Sequence, residues 1–175
     1  YDPQTGTVNL LDWVDLEQQR PVMAHELTHA LQDQSFGLEK WMKAGDADLA
    51  IRKNEPTPFD IENDEVQTAR QAIVEGQAMA VLVDYMLAPA GQSLLKSPEM
   101  ADTFVQSMLA GTADSVQFEN APLFMKSALT FPYRYGLGFV TDVLTKRGKK
   151  SFADAFIEPP RSSAGNDSLM VRTTG

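Results

Sequence analysis

The chain has two histidines, and they stand four residues apart in the stretch Ala24-His25-Glu26-Leu27-Thr28-His29-Ala30. That spacing constrains the local fold before anything else does. On an α-helix, positions four apart lie one turn above each other on the same face. Two imidazoles placed that way can grip a single metal ion through neutral ring nitrogens. Glu26 follows His25 about 100° further round such a helix, a position from which a carboxylate reaches water beside the ion better than the ion itself. The pattern is HExxH, which combines two nitrogens to hold a metal with one base to take a proton. A helix over residues 21–34, entered near Asp15, is expected on independent grounds. Val22, Met23, Leu27, Ala30 and Leu31 give it an apolar side for packing. Pro21 suits a first turn, and Gly37 suits a terminator.

Composition limits the partners more than the fold. At 175 residues with 43% hydrophobic content, one globular domain over 1–175 is expected, cut from a longer chain because it opens on Tyr1. The formal net charge of −9 argues against a nucleic-acid partner, since phosphates would meet little to neutralise them. The basic run Lys146-Arg147-Gly148-Lys149-Lys150 is read as the complement of a helix C-terminus. With no cysteine, disulfides and thiolate metal sites are excluded. The compartment stays open, with a secreted, periplasmic or cell-envelope location favoured over the cytoplasm. The longest apolar run, residues 78–83, is too short to span a bilayer, so no transmembrane segment is expected.

Proline and glycine punctuate the remainder. Residues 1–7 carry the chemistry of a turn, and residues 8–11 read as a short strand closing a hairpin. After Gly37 a helical turn is expected over residues 38–42, with residues 45–51 ambiguous and a break at Pro56 and Pro58. The longest periodic segment covers residues 61–88 and stops at Pro89 and Gly91. Its small residues, Ala69, Ala72, Gly76, Ala78 and Ala80, would let another helix approach closely. Ser97-Pro98-Glu99 resembles a capped helix start, for a helix to about Leu109. Residues 122–130 and 133–147 read as two helices parted by Pro132, and Ser151 as the cap of a last short one. The fold class is therefore mainly α with minor β.

A catalytic zinc site takes three protein ligands and leaves a position for water. No third histidine and no cysteine exist, so the remaining ligand must be a carboxylate. Asp33 lies one turn beyond His29, where a rigid helix carries it away from the ion. Glu75 is preferred, because it interrupts the apolar stripe of Ala72, Ala78, Met79, Leu82 and Met86, where an uncompensated charge is expensive to bury. Glu62, Asp64 and Glu65 stay open as alternatives at the start of the same helix.

With this pair of helices the chain resembles the zincins, and among them the gluzincins. It is more closely similar to a mostly uncharacterised group of bacterial and archaeal neutral zinc metallopeptidases. The blocks that carry the resemblance are AHELTHALQDQ at 24–34, AIVEGQA at 72–78, FPYRYG at 131–136 and PPRSS at 159–163. The resemblance implies a zincin-like metallopeptidase domain with Zn2+ on His25, His29 and Glu75. It further implies Glu26 as general base and a peptide or protein as substrate. The chain departs from the pattern at three places. The interval from His29 to Glu75 is longer than in thermolysin-like enzymes, Met79 replaces an aspartate, and residues 164–175 do not follow the group's usual ending.

The oxyanion formed during hydrolysis needs a further donor. With no spare histidine, Tyr133, Tyr135 and Arg134 are the candidates, all in what reads as a turn between proline and glycine. Two other functions compete with a peptidase: a non-catalytic zinc-containing binding or scaffold domain, and a metal-dependent hydrolase of non-peptide bonds. An intact Glu26 speaks against the first, since a structural site has no need of a base.

Overall fold

Asp15 opens the first helix by accepting the Glu17 N–H on its carboxylate at 2.8 Å. That helix, α1 (Leu16–Phe36), ends where Gly37 takes a left-handed φ of 64° and bonds back to Asp33 O. The structure, a computed structural model, describes residues 1–50, 61–113 and 116–159. It is mainly helical. After α1 come α2 (Leu38–Ala50), α3 (Ile61–Leu87), a 3-10 turn (Ala88–Ala90), α4 (Met100–Ala113), α5 (Val116–Glu119), α6 (Leu123–Arg147) and α7 (Ser151–Ile157). Pro56, Pro58 and nearly all of the PPRSS block lie outside the described residues, as does the tail that follows it.

The expected strand at residues 8–11 does not form, and no named strand occurs among the described residues. An isolated bridge between Asp2 and Thr7 closes the expected turn. Beyond it, Gln19 takes over the backbone. Its carboxamide accepts from Leu11 N at 2.8 Å and donates to Leu11 O at 2.8 Å and Val14 O at 2.7 Å. One buried side chain thus satisfies groups that a β partner would have had to meet.

The central rod is α3, with α6 and α1 packed along it and α2, α4 and α7 completing the bundle. The crossing with α6 is made possible by two glycines. A Cβ on Gly76 would collide with the Gly136 carbonyl, and one on Gly136 would collide with the Ala72 carbonyl. Around this crossing Ile73, Leu94 and Leu137 are fully buried, with Val83, Val105, Leu144 and Phe156 close behind. Phe36 stacks on Phe156 at 4.3 Å, and Trp41 Nε1 donates to Phe156 O at 2.9 Å, tying α1, α2 and α7 together. By length and composition alone, Glu65–Ala90 is sufficient to cross a membrane. In this fold it is the rod on which the other helices pack.

Several expectations need correction. Pro132 does not divide two helices, because α6 runs through it without a break. The proline ring is itself buried, and Gly136, Leu137, Val140 and Leu144 anchor the helix to α3, which offsets the one hydrogen bond lost. Pro21 is likewise inside α1, a turn beyond its start. Ser97 and Ser151 cap nothing: α4 starts at Met100, and the Ser151 hydroxyl donates back to Gly148 O. The helix after Gly37 is longer than the single turn expected. Most consequentially, α1 is inverted. Its buried residues are Gln19, His25, Thr28 and Gln32, while Leu27 and Leu31, expected to pack, are 50% and 63% exposed. The inward face carries polar groups that are met in different ways: Gln32 bonds Val74 O and Gln77 on α3, His25 Nε2 approaches Glu75, Gln19 bonds Leu11 and Val14, and the Thr28 hydroxyl donates back to Ala24 O.

Candidate metal centre

Packing of α1 on α3 places His25, His29 and Glu75 in one half-buried cluster, each offering a ligand atom to a common point. The two Nε2 atoms are 3.0 Å apart, and Glu75 Oε2 lies 3.4 Å from His25 Nε2 and 3.6 Å from His29 Nε2. Ligand atoms held about 2.1 Å from one ion at tetrahedral angles stand about 3.4 Å apart, so the triangle has the size such an ion requires. Glu75 Oε2 is buried with no hydrogen-bond partner, and so is His25 Nδ1. An orphaned carboxylate oxygen aimed between two imidazole nitrogens is what a cation site leaves behind when only protein atoms are counted. Two imidazoles and one carboxylate are also the ligand set of known catalytic zinc sites.

The electrostatics agree with the geometry. Burial pushes the Glu75 carboxyl up, but the close approach of the His25 and His29 imidazoles outweighs it and holds the group at about 2. Burial pulls the His29 imidazole down, yet Glu75, Gln32 and Glu26 together leave it above its ordinary value. A metal ion would take over the compensating role that the two partners now play for each other.

Glu26, next to His25 on α1, is near enough for its charge to raise the His29 pKa and stays partly exposed, with the backbone nitrogen of Tyr1 in contact with its Oε2. Tyr133, on α6, is near enough to feel the charge of both Glu75 and Glu26. Burial raises its pKa first, and the negative charges of Glu75 and Glu26 raise it further, so its hydroxyl stays protonated and able to donate. The expected turn around Tyr133 is instead regular helix. Successive helical residues fan out by about 100°, so Tyr133, Arg134 and Tyr135 cannot all face one site. Tyr135 packs at a tilt against Phe131, ring centres 4.7 Å apart, and, with Arg134, lines a separate cavity of about 390 Å³ between α4, α6 and α7.

The other carboxylates are placed elsewhere. Asp33 accepts from Leu38 N at 2.8 Å and from the Tyr1 hydroxyl at 2.9 Å, holding the corner between α1 and α2. Glu65 sits ten residues before Glu75 on one helix, a separation of about 15 Å. Glu62 and Asp64 belong to the first turn of α3, and their side chains lie outside the described residues. Residue-by-residue reading missed Gln32 and Gln77. Both are buried, and Gln32 meets His29 Nδ1 at 3.0 Å. Gln32 had one visible sign, since three residues beyond His29 is the same helical face.

No protein-family model, no curated protein and no solved structure matches the chain. The resemblance to neutral zinc metallopeptidases therefore stands on the motif blocks.

Proposed function

We propose that the protein is a zinc-dependent peptidase, with His25, His29 and Glu75 as the metal ligands and Glu26 as the general base. One observation carries the reading: a carboxylate from a distant helix meets the two histidines of HExxH at ligand spacing. Zinc bound there would polarise a carbonyl and bring the pKa of water to about 7.

The chain's own groups do the rest. Glu26 accepts the proton of the attacking water and returns it to the leaving amine. Its partial exposure lets a substrate approach from the solvent side. Tyr133 keeps its proton and donates to the oxyanion, a role favoured over Tyr135 because Tyr133 is the tyrosine that feels both Glu75 and Glu26. The peptide class of the substrate is taken from the motif resemblance. Elemental analysis after reconstitution, followed by cleavage of a broad peptide library with and without a chelator, tests the whole. Stoichiometric zinc with chelator-sensitive cleavage supports the reading. Zinc without cleavage of any peptide would leave a scaffold or a hydrolase of other bonds.

A further inference from the structure

His29 is held at both ends, and His25 is not. Facing away from Glu75, His29 Nδ1 meets Gln32 Oε1 at 3.0 Å. Gln32 Nε2 in turn donates to Val74 O at 3.1 Å and to Gln77 Oε1 at 3.2 Å. Gln77 Nε2 donates to Phe152 O, in α7, at 2.8 Å. Gln32 and Gln77 are 4% and 3% exposed, so the chain of bonds runs through the protein interior. His25 Nδ1, by contrast, is buried without a partner.

The direction of this relay is set by groups that cannot reverse. Backbone carbonyls only accept. Phe152 O therefore requires the NH2 side of Gln77, which leaves the Gln77 oxygen for Gln32. Val74 O independently requires the NH2 side of Gln32. With both its amide hydrogens engaged, Gln32 can offer His29 only an oxygen, and that oxygen is satisfied only by an N–H. Nδ1 must carry the proton, and Nε2 must carry the lone pair that faces Glu75 and His25.

We infer that Gln32 is a positioning residue that holds His29 in its Nδ1–H tautomer, with Gln77 and the Phe152 carbonyl fixing the orientation of Gln32 from the far side of the bundle. In the other tautomer a proton would occupy the place meant for the metal. Partners of this kind are worth about 10–100-fold in metal affinity. The inference rests on the zinc reading only for its purpose, because the tautomer is a property of the metal-free protein.

The test is nitrogen-15 NMR of the metal-free protein's imidazoles, above the pH at which His29 loses its charge, paired with Zn2+ titration. The wild-type chain should show His29 protonated on Nδ1, and an Nε2–H signature there overturns the inference. Gln32→Met, close in shape but unable to bond, should lose the fixed tautomer and bind Zn2+ about 10–100-fold more weakly. Unchanged tautomer and affinity in that variant also overturn it. Gln32→Glu keeps an acceptor for Nδ1–H, so it should keep the tautomer even where it lowers the melting temperature, and it serves if the methionine variant does not fold. A wild-type protein with the Nδ1–H signature that takes up no Zn2+ would uphold the relay and sink the peptidase reading instead.

Discussion

Gly76 of α3 and Gly136 of α6 touch backbone to backbone, so neither position has room for a methyl group. The contact lies one residue from Glu75 and three from Tyr133, and thus sets how far apart α3 and α6 hold these two side chains. Gly76→Ala or Gly136→Ala should destabilise by about 1–3 kcal/mol or more, because the obstacle is backbone and cannot rotate away. Gly138, on the same helix, has open space at its Cβ position. Gly138→Ala should gain about 0.5–1 kcal/mol from helix propensity alone. Urea unfolding of the three variants tests the contrast.

Glu26→Gln should bind zinc like the wild type and lose turnover by about 10²–10⁴-fold, the range for removal of a general base. Zinc content and peptide cleavage measured on one preparation check both halves. Turnover at the wild-type rate would remove Glu26 from the mechanism.

Glu75→Ala should weaken zinc binding by orders of magnitude, since two imidazoles on one helix remain as the whole ligand set. Competition with a colorimetric chelator gives the affinity. An unaltered value would move the third ligand to another carboxylate.

Tyr133→Phe should lower kcat by about 10²–10³-fold with little change in KM, as expected for a donor that acts in the transition state. Tyr135→Phe, at the cavity between α4, α6 and α7, should leave kcat near wild type. Equal losses in the two variants would contradict the assignment.

The metal-free protein should be most stable in mildly acidic solution. Glu75 is lowered from 4.5 to about 2, so its contribution is complete above 4.5 and is lost as pH falls toward about 2. His29 is raised from 6.5, so its contribution is complete below 6.5 and is lost as pH rises through its folded value. Denaturation midpoints of the chelated protein across pH 2–9 should therefore pass through a maximum between about 4.5 and 6.5. Glu75→Gln should flatten the acid limb, and an unchanged limb would show that the carboxylate does not face the imidazoles.

Local rules were enough for the features that depend on neighbours in the chain. The stretch carrying His25 and His29 is helical as expected, Gly37 ends it, and the absence of further histidine and cysteine left a carboxylate as the candidate third ligand. The larger misreadings trace to compensation by residues outside the segment being read. Pro132 stays helical because α3 grips α6 at Gly136, Leu137, Val140 and Leu144 just beyond it, and Leu11, at the end of the expected strand, gives its N–H and C=O to Gln19 instead of a β partner. The apolar stripe of α1 faces outward because the polar groups opposite it find partners on α3.

The amino-acid order alone determined which residues can bind a metal and which can act as a base, because those are properties of side-chain chemistry and helical period. Which carboxylate comes within ligand reach of the two imidazoles, which tyrosine comes near enough to feel its charge and which partner His29 Nδ1 meets were decided only when α1, α3, α6 and α7 packed together. Each depends on a distance between segments that no local periodicity encodes.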